Sequence, residues 1–421
     1  MILALYRFLS PLAAALLPIF GRFSPKLAAT LAWRRESGGI AGIRPKARPR
    51  IWMHAASAGE LEQARPLLAE IRRRWPGAAL LLTLSSASAR KGAEELSGAD
   101  LAFPLPADTP GRMTALLDSF RPDRILVVKW DLWPNLLMEA RRRRVPVHLV
   151  GAVLAEESGR SRAPGRWLYR SLHAMLCGVA AASEADAAAF LRMGLAQERL
   201  AVTGDTRFDR VIARRDERRT HALSGADHPR ESCLVAGSTW PAEEAFLLEV
   251  YPRILGDHPK ARLLIVPHEP GEKALARLEA EAAEKELPAA RLSGLADLPA
   301  GRVVLADKMG QLAELYRLGS LALVGGGFGS GVHSVLEAAA HGLPVLMGPR
   351  VERAAEARAL VAAGAGRIIR DAGELESAWR RHLSDPRGRE EAALRAREFV
   401  ESGAGAAVRS LDFVEKAENF G

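Results

Sequence analysis

The feature that most constrains the fold is an alternation, run twice, of short apolar stretches with segments of helical periodicity. The first series of apolar runs is Arg50–His54, Ala79–Ser85, Arg124–Lys129, Pro146–Gly151 and Gly178–Ser183. A second series follows residue 230: Ser232–Gly237, Arg262–Pro267, Val303–Ala306, Ser320–Gly325, Pro344–Gly348 and Arg367–Arg370. Between the runs, segments such as Glu60–Trp75 and Glu243–Leu255 place apolar residues at helical spacing. Strands alternating with helices predict parallel sheets covered on both faces. With 421 residues the chain is too long for one ordinary core. The charged stretch Arg207–Arg230 separates the two passes. The expected architecture is therefore α/β, with two doubly wound domains facing each other across a cleft.

Charge and the amino terminus narrow the class of partner. Lys and Arg outnumber Asp and Glu by 59 to 50, a formal charge of +9. Such a balance suits phosphorylated substrates, acidic lipids or nucleic acid. Residues 1 to 20, MILALYRFLSPLAAALLPIF, are apolar apart from Arg7, Ser10 and two prolines. A spanning helix needs about 20 apolar residues, and Arg7, Pro11 and Pro18 interrupt this one. Arg22, Lys26, Arg34 and Arg35 follow, suited to lipid headgroups. The reading is a monotopic or short signal-anchor segment with a cytoplasmic body; the alternative is a buried first helix. The two cysteines, Cys177 and Cys233, lie in apolar stretches without metal spacing and read as buried thiols.

In open parallel sheets, ligands bind beyond the carboxyl ends of the strands. The first strand runs into His54, Ser57, Gly59 and Glu60. At a helix start the macrodipole favours an ionised Glu60, and such a carboxylate can take a proton from an attacking hydroxyl. An ordinary first-turn acid is the alternative. The third strand ends in Lys129-Trp130-Asp131-Leu132-Trp133-Pro134-Asn135. Asp131 there can stabilise charge or position an acceptor, or it can simply cap the helix that Pro134 opens. Arg207, beside the connection, is a candidate cation for the cleft.

The second series carries a matching set. Ala236-Gly237-Ser238-Thr239 leads into a helix with Glu243 and Glu244, which reads either as a phosphate seat or as simple capping. His268 and Glu269 follow the second strand, and Asp307-Lys308-Met309-Gly310-Gln311-Leu312 starts another helix. The most distinctive element is GGGFGSGVHSVLE, residues 325–337. Its glycines, including Gly327 and Gly329, offer backbone amides to a phosphate, and Glu337 can accept from ribose hydroxyls. Five glycines with His333 and Glu337 exceed what a structural turn needs. The spacing is neither G-x-G-x-x-G nor a P-loop, which argues against nicotinamide, flavin and P-loop nucleotide sites. No Asp-x-Asp and no His/Cys cluster of ligand spacing occurs.

Together these segments resemble the Kdo transferases, which move 3-deoxy-D-manno-octulosonic acid (Kdo) from CMP-Kdo to lipid A. The resemblance rests on HAASAGE at 54–60, KWDLWPN at 129–135, GDTRFDR at 204–210, GSTWPAEE at 237–244, MGQLAELY at 309–316 and GGGFGSGVHSVLEAA at 325–339. It implies a GT-B fold, a metal-independent inverting glycosyltransferase with no cofactor, and a place on the cytoplasmic face of an inner membrane. It implies Glu60 as proton acceptor, Asp131 as the second acid of its motif and Arg207 as a transition-state cation. CMP contacts are expected from Ser238, Thr239, His268, Glu269, Met309, Gly310, Gln311, Gly327, Gly329, His333, Ser334, Val335, Leu336 and Glu337. The partners implied are CMP-Kdo, a lipid A precursor and an anionic membrane surface, not nucleic acid. The chain departs from the commoner pattern at Lys129, at His268-Glu269 and at Ser334. The expected organisation is a membrane-associating segment at 1–40, an acceptor domain at 41–210, a linker at 211–230 and a CMP-sugar domain at 231–421, whose last helix can pack back on the first domain. Rival readings are another GT-B enzyme, an epimerase or a UDP-sugar lipid transferase, and a noncatalytic membrane nucleotide sensor.

Overall fold

A computed structural model of the protein describes residues 2–37, 45–95, 98–154, 165–217 and 230–418. Its strands form two seven-stranded sheets, parallel throughout. The first sheet comprises β1 (Arg50–Ala55), β2 (Ala79–Leu84), β3 (Leu101–Pro104), β4 (Arg124–Val128), β5 (Val147–Ala152), β6 (Gly178–Ala181) and β7 (Leu200–Val202), in the order β3-β2-β1-β4-β5-β6-β7. The second comprises β8 (Cys233–Thr239), β9 (Arg262–Pro267), β10 (Ala289–Arg291), β11 (Val303–Leu305), β12 (Leu321–Val324), β13 (Val345–Met347) and β14 (Gly366–Ile368), ordered β10-β11-β9-β8-β12-β13-β14. The strand order reverses between β1 and β4 in one sheet and between β8 and β12 in the other. Those reversals are topological switch points, where a crevice opens beyond the strand ends.

Each sheet is buried on both faces, so its strands are apolar almost without alternation. In the first, Trp52, Leu81, Ile125, Val127 and Leu149 pack on one side. Ile51, Met53, Leu80, Leu82 and Leu126 pack on the other. Three polar residues break this pattern at full burial, His54 on β1, Thr83 on β2 and His148 on β5. The first two lie on the Trp52 face, since side chains alternate along a strand.

The chain divides into two compact units, Met1–Arg210 with Gly403–Gly421, and Val211–Ser402. The helix Ala406–Glu418 belongs to the first unit, where Ala407, Leu411 and Val414 join the cluster of Ile51 and Met53. Asp209 fixes its start by accepting from Gly405 N at 2.6 Å and Ala407 N at 2.8 Å. Part of the charged stretch read as a linker is helix, Thr206–Asp216; positions 218–229 lie outside the described residues.

Two helices precede the first sheet, α1 (Ile2–Gly21) and α2 (Pro25–Glu36). The prolines expected to interrupt the apolar segment do not end α1, which runs through both Pro11 and Pro18. Each proline removes one helical hydrogen bond, while side chains tether the first half of α1. Arg7 pairs with Glu139 at 2.6 Å, Ser10 accepts from Asn135 Nδ2 at 2.9 Å, and Tyr6 hydrogen-bonds Asp108. The alternative of a buried core helix does not hold, because Phe8, Leu12, Ile19 and Phe20 are exposed. By length and composition α1 could cross a membrane. Cys233 is buried as expected, whereas Cys177 is only partly so.

Candidate active site

The turn after β1 builds the first half of the site. Ser57, extended at φ −144°, precedes helix α3 (Ala58–Arg74), and Glu60 lies in its first turn. Glu60 Oε2 folds back to accept the Ala56 N–H at 2.6 Å, much like the acidic half of a capping box. The side chain is buried. Burial raises its carboxyl pKa, and the nearby Asp131 charge adds to this; the Ala56 N–H and the Lys129 and His54 charges oppose without winning. The expectation that the helix dipole would favour ionisation is thus corrected: desolvation outweighs it, and Glu60 holds its proton more tightly than a solvated glutamate.

Asp131 comes from the other strand of the switch point. The helix that Pro134 opens is capped by Asp108, whose oxygens accept from Asn135 N at 2.9 Å and Leu136 N at 3.0 Å. Asp131 is thereby released from the capping role. Its Oδ2 accepts from Ser85 Oγ at 2.7 Å, from His54 Nε2 at 3.0 Å and from Trp133 Nε1 at 3.1 Å. Burial works to raise this carboxyl, but the His54 bond and charge and the Ser85 and Trp133 bonds prevail and hold it below the usual range. The two acids are therefore pushed apart, one towards its neutral form and the other towards its anion.

His54 is oriented from behind. Trp52 Nε1 donates to Thr83 Oγ1 at 2.8 Å, and Thr83 Oγ1 lies 2.8 Å from His54 Nδ1. Indole nitrogen can only donate, so the hydroxyl hydrogen is free to point at Nδ1. A neutral imidazole then carries its proton on Nε2, facing Asp131. Lys129 sits at φ 68°, a left-handed conformation unusual for a side-chain-bearing residue, immediately after β4. Arg207 is held by Asp205, with both Nε and Nη2 2.7 Å from Oδ2. The start of its helix is fastened to α3 by Thr206 Oγ1 donating to Gln63 O at 2.9 Å and by Arg210 pairing with Glu62 at 2.6 Å.

The second unit places its residues at its own switch point, after β8 and β12. Ser238 has a left-handed φ of 53°. Thr239, read as part of a phosphate seat, is instead buried, and its hydroxyl donates to Glu244 Oε1 at 2.8 Å. The glycine loop requires a similar correction. Glu243 Oε1 accepts from Gly326 N at 2.8 Å and from Phe328 N at 3.4 Å, and its Oε2 accepts from Trp240 N at 3.1 Å. The amides of Gly329 and Gly331 donate to Gly326 O, and that of His333 to Gly325 O. Most of these donors are thus spent within the protein. Gly327 is required because a Cβ there would meet the backbone of Gly348 at 2.6 Å, so part of the glycine content is structural after all.

Three rings stack beside this loop. His268 and His333 have centroids 4.5 Å apart, and Trp240 lies 4.8 Å from His268. Trp240 Nε1 donates to His333 Nε2 at 3.0 Å. Burial, and then the His268 charge, keep His333 below the ordinary imidazole range. Glu269, Met309 and Ser334 are exposed, with Met309 72% accessible. Gly310 takes a left-handed φ of 82°, and Gln311 precedes the helix Leu312–Leu315. Val335 and Leu336, expected to touch CMP, have fully buried side chains, so any contact from them is through backbone. Glu337 is paired with Arg214 at 2.5 Å. Sequence reasoning assigned no role to Ser85, Asp108 or Trp240 and left Glu243 as an ordinary helix acid.

The family model described as 3-Deoxy-D-manno-octulosonic-acid transferase (kdotransferase) matches residues 31–210. A 3-deoxy-D-manno-octulosonic acid transferase of Bordetella pertussis is 32% identical over 398 residues, covering 90% of each chain. The protein of the same name from Haemophilus influenzae is 26% identical, covering 96% of this chain and 95% of its own. Among solved structures, a putative UDP-N-acetylglucosamine 2-epimerase from Listeria monocytogenes superposes with a TM-score of 0.64 at 15% identity, over 89% of this chain and 98% of that one. The UDP-GlcNAc 2-epimerase from Neisseria meningitidis gives 0.64 at 15% identity, over 87% and 100%. At such identity the likeness concerns the fold alone.

Proposed function

Because the chain belongs to the 3-deoxy-D-manno-octulosonic acid transferase family, and is therefore a glycosyltransferase, we propose that it moves Kdo from CMP-Kdo to a hydroxyl of a lipid A precursor in lipopolysaccharide synthesis, with Glu60 as general base. The observation that carries the choice of base is that a buried Glu60 and a half-buried Asp131 come to one switch point with their carboxyl pKa values pushed in opposite directions. A base works best with a pKa near the operating pH, and burial moves Glu60 in that direction.

In this reading the acceptor hydroxyl gives its proton to Glu60 as its oxygen bonds to the anomeric carbon of Kdo. The bond from that carbon to the CMP phosphate oxygen breaks with its electron pair, so the configuration inverts and CMP leaves. Asp131, kept anionic by Ser85, His54 and Trp133, positions the acceptor and favours cationic character at the reacting carbon. Arg207 offers charge to the departing phosphate. The first unit is assigned the acceptor and the second the CMP-sugar, with Met309, Gly310, Gln311, His268 and the loop through Glu337 as contacts. Exposed apolar residues of α1 support seating on a membrane, which this reading assigns to the cytoplasmic face of the inner membrane.

The test incubates the purified full chain with CMP-Kdo and a lipid A precursor and weighs the lipid. The expected result is a gain of one or more Kdo units with release of CMP. An unchanged lipid mass would sink the assignment. Protection of the second unit from proteolysis by UDP and not by CMP would move it to the epimerase-like or UDP-sugar classes.

A further inference from the structure

We propose that Arg34 and Arg112 form a seat for a phosphate carried by the acylated acceptor, at the far end of an apolar trough that begins at Asp131. The identity of the ligand rests on the acceptor reading above; the site itself rests on the following geometry.

A cavity of about 990 Å³ opens between α1, α2 and the helix Pro110–Phe120. Leu17, Leu31 and Phe103 contribute apolar wall, and Arg22, Arg34 and Arg112 line it too. Several other arginines of this unit are matched to carboxylates: Arg7 to Glu139, Arg72 to Asp100, Arg74 to Glu70 and Arg143 to Asp118. Among the described residues no ion pair is made by Arg22, Arg34 or Arg112. Arg34 Nε is also cut off from solvent with no hydrogen-bond partner. Buried polar atoms are rarely left so. Burial, and then the like charge of Arg112, depress the Arg34 pKa. Two guanidiniums close enough to repel, one of them with an unused donor, are the complement of an anion.

The shape of the surroundings identifies what carries that anion. A second cavity, of about 850 Å³, shares Ala14, Leu17, Arg34 and Ala107 with the first. It continues along Leu5 and Leu9 to Ser85, Asp131 and Trp133. The trough thus has the acid site at one end, cations at the other and aliphatic walls between. Free phosphate has no use for aliphatic walls, and a bulk phospholipid has none for a route to Asp131. An acylated sugar bearing a phosphate uses all three. Guanidinium forks match phosphate oxygens two at a time, which suits arginine better than lysine here.

The experiment measures equilibrium binding of the full chain, without donor, to two micellar probes. One is a bisphosphorylated acylated glucosamine disaccharide and the other is the same lipid after enzymatic removal of its phosphates. Wild type is expected to prefer the phosphorylated probe by about tenfold or more, the scale of a charge-assisted hydrogen bond. Arg34→Gln/Arg112→Gln should erase that preference while binding the dephosphorylated probe as wild type does, which also reports a folded trough. Should the double variant bind neither probe, Arg112→Gln alone, at an exposed side chain, should still reduce the preference several-fold. Equal binding of both probes by wild type would overturn the proposal, as would a preference that survives both variants. Displacement of the phosphorylated probe by equimolar phosphatidylglycerol would overturn the commitment to the acceptor. Since no donor is present, failure of sugar transfer leaves this readout intact, and loss of phosphate selectivity leaves the transfer assay intact.

Discussion

Removing the Glu243 side chain should open the glycine loop without touching any residue that faces substrate. Its carboxylate is buried and takes three backbone donors, Gly326 N, Trp240 N and, more weakly, Phe328 N. In Glu243→Ala the buried Gly326 N–H loses its carboxylate acceptor, a cost of about 1–3 kcal/mol, while the part-exposed Trp240 N–H can turn to water at a loss of about 1 kcal/mol. Together these give roughly 2–4 kcal/mol, or about 30- to 1,000-fold faster local opening at about 1.4 kcal/mol per decade. Glu243→Gln keeps one carbonyl oxygen for Gly326 N and should cost about half as much. Hydrogen exchange followed by mass spectrometry over peptides spanning 325–334 reads this directly. Glu249→Ala, on the exposed side of the same helix and paired with Arg253, is the control and should change nothing beyond about 0.5 kcal/mol. Unchanged exchange in Glu243→Ala, or equal opening by Ala and Gln, would refute the claim that this carboxylate holds the loop.

Other outcomes follow from the first unit. Glu60→Gln keeps an oxygen for the Ala56 N–H, so transfer should fall by about 10²–10⁴ with the fold intact; more than a tenth of wild-type turnover would exclude Glu60 as base. In thermal unfolding across pH the wild-type protein should lose stability as pH rises through the Glu60 pKa, because the raised carboxyl pKa means the folded chain binds that proton more tightly than the unfolded one, and Glu60→Gln should lack that loss. The acid limb of kcat/KM should lie above the ordinary glutamate value of about 4.3. It should move up in Lys129→Met, which removes a charge that lowers the Glu60 pKa, and down in Asp131→Asn, which removes one that raises it; shifts of the same sign would contradict the coupling. Phe8 and Phe20 are 80% and 58% exposed on α1. Serine at both should weaken cosedimentation with anionic vesicles by at least about tenfold, given roughly 1.5–3 kcal/mol per buried aromatic, and unchanged cosedimentation would remove α1 from the membrane contact.

The centre of each sheet was legible and the margins were not. All eleven apolar runs became strands, with ends shifted by a residue or two. The three strands that escaped, β3, β7 and β10, are sheet edges of three or four residues. An edge strand is covered by one neighbour only, so it needs no continuous apolar run; Leu101 and Ala102 are even exposed. Glu60 and Asp131 were singled out because parallel strands deliver ligand residues at their carboxyl ends, and the structure brings both to one switch point. Their opposed electrostatics were not readable, since burial depends on α3 and on Ser85, Trp133 and His54 converging from four separate segments. Asp108 capping a helix 26 residues away is likewise a fact of packing. The glycine loop misled in one respect. Small residues after a strand allow a ligand to approach, but they equally allow Gly348 and Glu243 to do so, and local sequence does not distinguish the two.

The helix Ala406–Glu418 gives the protein an order of assembly. It completes the face of the first sheet formed by Ile51 and Met53, yet it follows about 190 residues that belong to the other unit. At roughly 5–20 residues per second, a ribosome needs about 10–40 s to supply it after the rest of the first unit is made. Throughout that interval the second unit can fold on uninterrupted chain, while the first waits with an apolar strip uncovered in addition to the exposed apolar residues of α1. The unit made first is therefore the one finished last, and its most aggregation-prone period falls while synthesis is still under way.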